Sequence, residues 1–568
     1  MVIQGRVVQV RGDYVKVGFR DEDLKHVGMR GQFLKIKTRM GKDLISIIAS
    51  LELSDELYRQ ARSLSMFPEA YEELILTKND VLVNVIGTLE ENGRILRKHD
   101  AIPSPGDIVE PMSTEELNMI FRRDAPRYIR IGRLVSDTSV GVSLDLNHLA
   151  TKHVAILAMT GAGKSNTLAT LIIRILKRLP SARIVLIDTH SEYIGLAKLN
   201  KIVGGKISIY CPMGKYRELI KKEVEDESVL KNLEIPYWFL NADEWFSLLG
   251  LGSQATTQRR VLRMKLRQLK GPYLDAPVYF ELEGENGLIN LIANERSVSK
   301  SSIDSLLDKI DDVRYSAEYE FIFNPLESLK ARNDPKKVFR MVIEPIISPG
   351  LKIFALGGIP SDVQAAVVSM LLRSIFRVSV EAKLIGKIIP TIIAIEEAHL
   401  YAPSDHYPPS RSIIERIAKE GRKFGVGLII VSQRPKELSS TVLAQCGTLI
   451  ALRLVNSSDQ RYIMESIEDI TLFLTRSLSG LGVGEALISG LSVPIPCIVK
   501  IDSFNDVVRE EYGVAVELGG RDIDVTNIWL RDISESDLDE IIDGLYRTYE
   551  SRSPRTEEKQ KPKQLTLF

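Results

Sequence analysis

Through the first hundred residues apolar and polar positions alternate in short runs, and after about residue 128 the rhythm changes. Residues 7–10, 14–19, 32–37, 44–49 and 81–88 are brief alternating or β-branched stretches, several set off by turn residues such as Arg11-Gly12-Asp13 and Glu91-Asn92-Gly93. Each predicts a strand. So many short strands dispose of their edges most simply by closing into a barrel, with a helical insert expected over 54–67. Ile102-Pro103-Ser104-Pro105-Gly106-Asp107 reads as the exit, and Ser113 with Glu116 as a capping box for the next helix.

Beyond 128, apolar runs of strand length alternate with helical spacing, which predicts an α/β fold around a parallel sheet. Strands are expected at 154–157, 183–188, 351–356, 388–395, 426–432, 448–454, 485–488 and 495–501, with a long amphipathic helix over 361–384. Between them the sheet pattern is suspended, and helical spacing at 230–251 and 258–269 predicts a helical insertion. The expected division is a barrel (1–110), a first core segment (111–205), the helical insertion (206–345), a second core segment (346–505), an appendage with a helix near 536–549 (506–550) and a disordered tail (551–568).

Composition narrows the class. The 568 residues are 44% hydrophobic and 26% charged, the profile of a globular protein with a sizeable core. Lys+Arg and Asp+Glu are equal at 75 each, so any nucleic-acid contact must come from local clusters and not from bulk charge. Cys211, Cys446 and Cys497 form no C-x-x-C pair, which suits a reducing compartment and gives no zinc pattern. His399 and His406 are close in sequence, but a proline-rich loop separates them and a structural role is the simpler reading. No apolar run approaches the ~20 residues of a membrane span and the opening stretch lacks a signal-peptide core, so a cytoplasmic protein without membrane contact is expected.

The candidate chemistry starts at Val154-Ala155-Ile156-Leu157-Ala158-Met159-Thr160-Gly161-Ala162-Gly163-Lys164-Ser165-Asn166, an apolar run, a small-residue loop and the start of a helix. Backbone N–H groups of such a loop and the positive end of the helix converge on phosphate oxygens. Thr160 to Asn166 are therefore the candidate nucleotide-binding residues. Lys164 would reach the β- and γ-phosphates of ATP, and the Ser165 hydroxyl would ligate Mg²⁺. Ala158 stands where the usual pattern has glycine, which costs little if its φ is negative. A dinucleotide fingerprint fits less well, because its third glycine position holds Asn166.

Two further strand ends carry acids. Leu186-Ile187-Asp188-Thr189-His190-Ser191-Glu192 makes Asp188, His190 and Glu192 candidates for the metal's surroundings or for placing water, a capped loop outside the site being the alternative. Ile393-Ala394-Ile395-Glu396-Glu397-Ala398-His399 supplies a pair of carboxylates. Glu397 is assigned the water-activating role and Glu396 the metal side, with the reverse order left open. Gln433, at the tip of the strand over 426–432, is placed to sense the γ-phosphate. Arg422 either stabilises its helix end or reaches a neighbouring subunit's γ-phosphate.

Taken together, the barrel, Thr160-Gly161-Ala162-Gly163-Lys164-Ser165-Asn166, Asp188-Thr189-His190-Ser191-Glu192-Tyr193, Glu396-Glu397-Ala398-His399, Glu420-Gly421-Arg422-Lys423 and Val431-Ser432-Gln433-Arg434-Pro435 closely resemble the HerA family of hexameric DNA translocases related to FtsK. The resemblance spans residues 1 to about 505. It implies a RecA-like P-loop ATPase core in a homo-hexamer, double-stranded DNA in the channel, and the NurA nuclease docked on the barrel. It also implies DNA-end resection beside the Mre–Rad complex and an Arg422 acting in trans. Arg411, Arg434 and Lys436 are the candidate channel cations, with plain surface charge as the alternative. The ending Gln564-Leu565-Thr566-Leu567-Phe568 loosely resembles a sliding-clamp hook but lacks the second aromatic. A ring that moves another polymer, as in protein secretion or conjugative coupling, is the competing class.

Overall fold

The structure, a computed structural model, describes residues 3–12, 14–19, 21–53, 79–90, 95–97, 101–271, 275, 277–466, 477–516 and 518. The helical insert expected over 54–67, the turn at 91–93, the helix near 536–549 and the tail with its clamp-like ending lie outside them.

The first unit is built from β1 (Gly5–Arg11), β2 (Tyr14–Phe19), β3 (Phe33–Lys37), β4 (Asp43–Leu53), β5 (Asn79–Leu89), β6 (Ile95–Leu96) and β7 (Ile108–Pro111). Their order is β2-β1-β7-β3-β4-β5-β6, and a β2–β5 pairing closes six of them into a barrel. Register shifts within β1–β2 and β4–β5 supply the bends that closure requires. Period-two alternation then sorts the side chains. Val15, Val17, Leu34, Ile36, Val81 and Val83 fill the barrel, while Phe33, Ile45 and Ile47 face outward and join the main core. Phe33 meets Phe121 with ring centroids 5.3 Å apart, and the Ser113/Glu116 capping box holds the helix Thr114–Phe121 that carries it.

The second unit has twelve strands: β8 (Tyr128–Leu134), β9 (Gly141–Asp145), β10 (Val154–Leu157), β11 (Arg183–Asp188), β12 (Ile207–Cys211), β13 (Leu230–Asn232), β14 (Gly350–Ala355), β15 (Thr391–Ile395), β16 (Val426–Ser432), β17 (Thr448–Leu452), β18 (Glu485–Gly490) and β19 (Cys497–Ile501). They run β13-β12-β14-β11-β15-β16-β10-β17-β18-β19-β8-β9. Strands β10, β15, β16 and β17 are buried at every residue, as a parallel sheet covered on both faces requires. The expectation of a parallel sheet holds from β13 to β17; from β17 onward every pairing is antiparallel.

The expected helical insertion also needs correction at its start. Residues 207–211 alternate buried and half-buried side chains and extend the sheet as β12, and 230–232 add β13. Helix is expected over 230–251, but Pro236 and Asn241 break it, the latter as the N-cap of Ala242–Leu248. The helix Ser361–Leu384 is long and apolar enough to cross a membrane by composition, yet 72% of its apolar window is buried inside the fold. It is a core helix.

Candidate nucleotide-binding site

β10 pairs in register with β16, Leu157 opposite Ser432, and β16 with β15, Ile430 opposite Ile395. This brings the loop after β10, Gln433 and the Glu396-Glu397 pair to one carboxyl edge of the sheet, where α/β folds hold ligands. Ala158 is buried and outside the positive-φ set, so alanine fits there without strain. Gly161 and Gly163 do take positive φ, 76° and 106°, and turn the loop onto the helix Lys164–Arg178. The N–H groups of Gly161, Gly163, Lys164 and Ser165 have no acceptor among the described residues. They form an anion cradle at the start of a fifteen-residue helix.

The front of the site is a ring of polar contacts around that cradle. Lys164 Nζ is paired with Glu397 Oε1. Glu397 sits at φ 46°, a left-handed conformation rare for a side-chain-bearing residue, and its other oxygen is 3.3 Å from His399 Nδ1. Ser165 Oγ donates to Glu192 Oε2 at 2.9 Å, and Thr160 Oγ1 donates to Gln433 Oε1 at 2.7 Å. Asn166 points elsewhere: its amide donates to the Asp502 carbonyl and accepts the Phe504 N–H, tying the helix to the end of β19. Ala162 is buried beneath the loop.

Behind the front lie Asp188 and Glu396, both fully buried. Asp188 accepts the N–H groups of Glu192 and Tyr193, each at 2.9 Å, and so folds the turn that aims Glu192 at Ser165. Burial pushes the Asp188 carboxyl well above the usual range, with those two bonds and the Glu396 side chain opposing part of the rise. Glu396 is pushed up to about 9, by burial first and then by the charges of Asp188 and Glu192, against the pull of Lys164. As a carboxylate it finds a donor at neither oxygen. The buried Asp188–Glu396 pair therefore favours keeping a proton at neutral pH. Burial lowers the pKa of His399, whose ring meets Ser432 Oγ at 3.1 Å. His190 is exposed.

Arg422 lies at the other end of the sheet, in the turn Gly421–Phe424 that precedes β16. Seven residues of strand separate it from its own phosphate loop, about 20 Å. It is exposed, with no partner among the described residues. Of the candidate channel cations, Arg411 is buried, paired with Glu415 at 2.9 Å and stacked over Tyr407, which is a structural role. Arg434 pairs with Glu437 at 3.1 Å, and Lys436 is exposed. One residue near the loop escaped the sequence reading: the Arg453 carbonyl accepts the Met159 N–H, and its side chain is exposed. Its only signal is position, directly after the apolar run of β17.

Residues 129–375 match the family described as Helicase HerA, central domain, and residues 350–504 match Helicase HerA-like C-terminal. The DNA double-strand break repair helicase HerA of Sulfurisphaera tokodaii is 33% identical over 424 residues, 72% of this chain and 75% of that one. The protein of the same name from Pyrococcus furiosus is 28% identical over 543 residues, 88% of this chain and 92% of that one. Among solved structures, VirB4 of Thermoanaerobacter pseudethanolicus aligns with a TM-score of 0.41 at 16% identity, covering 67% of this chain and 98% of that one. With the open phosphate loop, the acids at the carboxyl edge and the two family matches and HerA relatives in place, the chain belongs to the HerA helicase family and is a P-loop ATP hydrolase.

Proposed function

We propose that this chain is the subunit of a cytoplasmic homo-hexameric motor that hydrolyses ATP with Mg²⁺ to move along double-stranded DNA. Following the resemblance, it would work with a NurA-type nuclease on its barrel and beside the Mre–Rad complex in break repair. The observation that carries the reading is the placement of Arg422. An exposed arginine with no partner among the described residues, about 20 Å from its own phosphate loop, can serve a nucleotide only in a neighbouring subunit.

The residues at the loop fit a magnesium nucleotide. The free N–H groups would take the phosphates, and Lys164 would leave Glu397 for the β- and γ-oxygens, releasing that carboxylate to orient a water. Bound Mg²⁺ would offset charge on the phosphate oxygens. Ser165 would hold the ion directly, with Glu192 on its water shell because Glu192 already faces the Ser165 hydroxyl. This departs from the assignment of the metal side to Glu396. Glu396 lies buried behind the site beside Asp188, and Glu192 is the acid that faces the Ser165 hydroxyl. Gln433, linked to Thr160, is placed to register whether the γ-phosphate is present.

Addition of duplex DNA to the purified protein should raise its steady-state ATP turnover. A rate indifferent to DNA at low and moderate salt overturns the motor reading.

A further inference from the structure

The far end of the phosphate-loop helix opens into a cleft of about 750 Å³ whose walls carry seven cationic side chains and two acidic ones. In a chain whose charges balance overall, that is a strong local departure. Three elements build it. The helix Lys164–Arg178 contributes Arg174, Lys177 and Arg178, at the i, i+3, i+4 spacing that puts them on one face. In β8 the exposed positions are Arg130 and Arg133, three apart. A regular strand would send them to opposite faces, but the register slips between Arg130 and Gly132, and that bulge leaves both exposed beside the cleft. Arg122 and Arg123 come from the turn that leads into β8.

Four of the seven have an acidic partner, Arg122 meeting Asp124 at 3.6 Å. Buried Arg174 pairs with Asp502 at 2.7 Å, Arg130 shares the same carboxylate at 3.1 Å, and Lys177 takes Glu511 at 2.8 Å. Arg178 meets only carbonyls, those of Asp124 and Pro126. Arg123 and Arg133 have no side-chain partner among the described residues. Lys177 and Arg178 also stabilise the helix's carboxyl end, a role that Arg123 and Arg133 do not have.

The cleft also has a line to the nucleotide. Asp502, which holds Arg130 and Arg174 through its side chain, accepts the amide of Asn166 and the hydroxyl of Thr170 on its carbonyl. Asn166 is two residues from Lys164. An anion that drew Arg130 or Arg174 away from Asp502 would therefore act on the segment that anchors the start of the phosphate-loop helix.

We propose that this cleft is a contact for the sugar–phosphate backbone of duplex DNA, and that the Asp502–Asn166 link transmits its occupancy to the phosphate loop. The proposal rests on the motor reading and adds to it a place on the chain where DNA is held. Recognition would be independent of sequence, because guanidinium contacts to phosphate position a duplex without reading its bases.

The test uses the full-length protein and a double variant, Arg123→Gln with Arg133→Gln, both exposed and outside the nucleotide site. Binding of a fluorescently labelled duplex is followed by anisotropy across a salt series. Loss of two phosphate contacts should lower the slope of log affinity against log salt by about 2. The DNA concentration that half-stimulates ATP turnover should rise roughly tenfold or more while DNA-free turnover stays at the wild-type rate. A variant with wild-type slope and midpoint overturns the cleft assignment and leaves the motor intact. Wild-type protein that binds no duplex at any salt removes the motor reading, and this one with it. Loss of heparin binding with the DNA slope unchanged would assign the cleft to an acidic partner and overturn the proposal.

Discussion

Replacing Glu396 with glutamine separates a carboxylate that holds a cation from one that is kept neutral. An ordinary glutamate titrates near 4.5, whereas Glu396 is raised to about 9, chiefly because both its oxygens are buried without donors. Between those values the folded protein holds a proton that the unfolded chain has released, so stability falls as pH rises through the window. At about 1.4 kcal/mol per pH unit for each proton retained, the fall from pH 5 to pH 8 is on the order of a few kcal/mol for the Glu396–Asp188 pair. Glutamine has the shape of the neutral acid and no proton to lose. Asp188, raised in the same direction, titrates together with Glu396, so the difference between the two proteins reports on the buried pair. In nucleotide- and metal-free protein, urea unfolding followed through buried Trp238 and Trp245 should give similar midpoints near pH 5. By pH 8 the Glu396→Gln protein should be the more stable. Its hydrolysis at saturating Mg²⁺ should stay within about tenfold of wild type, whereas removing a group that supports a bound metal typically costs 10–100-fold in metal affinity or activity. A stability gap that does not widen with pH, or a variant that is the less stable at pH 8, refutes the account of Glu396 as a buried neutral acid.

The other acids and the arginine behave differently. Glu397→Gln should bind a fluorescent ATP analogue normally yet hydrolyse ATP about 10²–10⁴ times more slowly; near-normal turnover would remove Glu397 from the water-activating role. Glu192→Gln should raise the Mg²⁺ concentration for half-maximal turnover by roughly tenfold and weaken Mn²⁺ binding, read by electron paramagnetic resonance in the presence of ADP. An unchanged metal midpoint in both measurements would leave Glu192 as a hydrogen-bond partner only. Mixing Arg422→Ala subunits with Lys164→Ala subunits should restore part of the activity that each lacks, because the two defects then fall on different sides of a shared site. No recovery at any ratio argues against an arginine acting across subunits.

What sequence could and could not foresee follows from the range of the forces involved. Strands β1 to β5, the phosphate loop and β16 were legible because each is specified locally: alternation makes a strand, and small residues before Lys-Ser make a cradle; β6 and β7, two and four residues long, are too short to show it. Ala158 illustrates the same point, since its acceptability turned on one local φ. The antiparallel end of the sheet was not legible, because β17 to β9 read as the same apolar runs whichever way they pair. β12 hid in its own alternation at the head of a helical stretch. The acids show the limit most clearly. Two adjacent glutamates after an apolar strand look alike on paper, yet one backbone torsion divides them. Positive φ at Glu397 swings it out to Lys164, while Glu396, directly after β15 and with its N–H on the Ile187 carbonyl, stays buried beside Asp188. The place left beside Ser165 goes to Glu192, more than 200 residues earlier, because Asp188 caps its turn with two backbone hydrogen bonds. Which carboxyl is pushed above the usual range is thus decided by tertiary burial, a quantity that no spacing of Glu, Asp and Ser along the chain encodes.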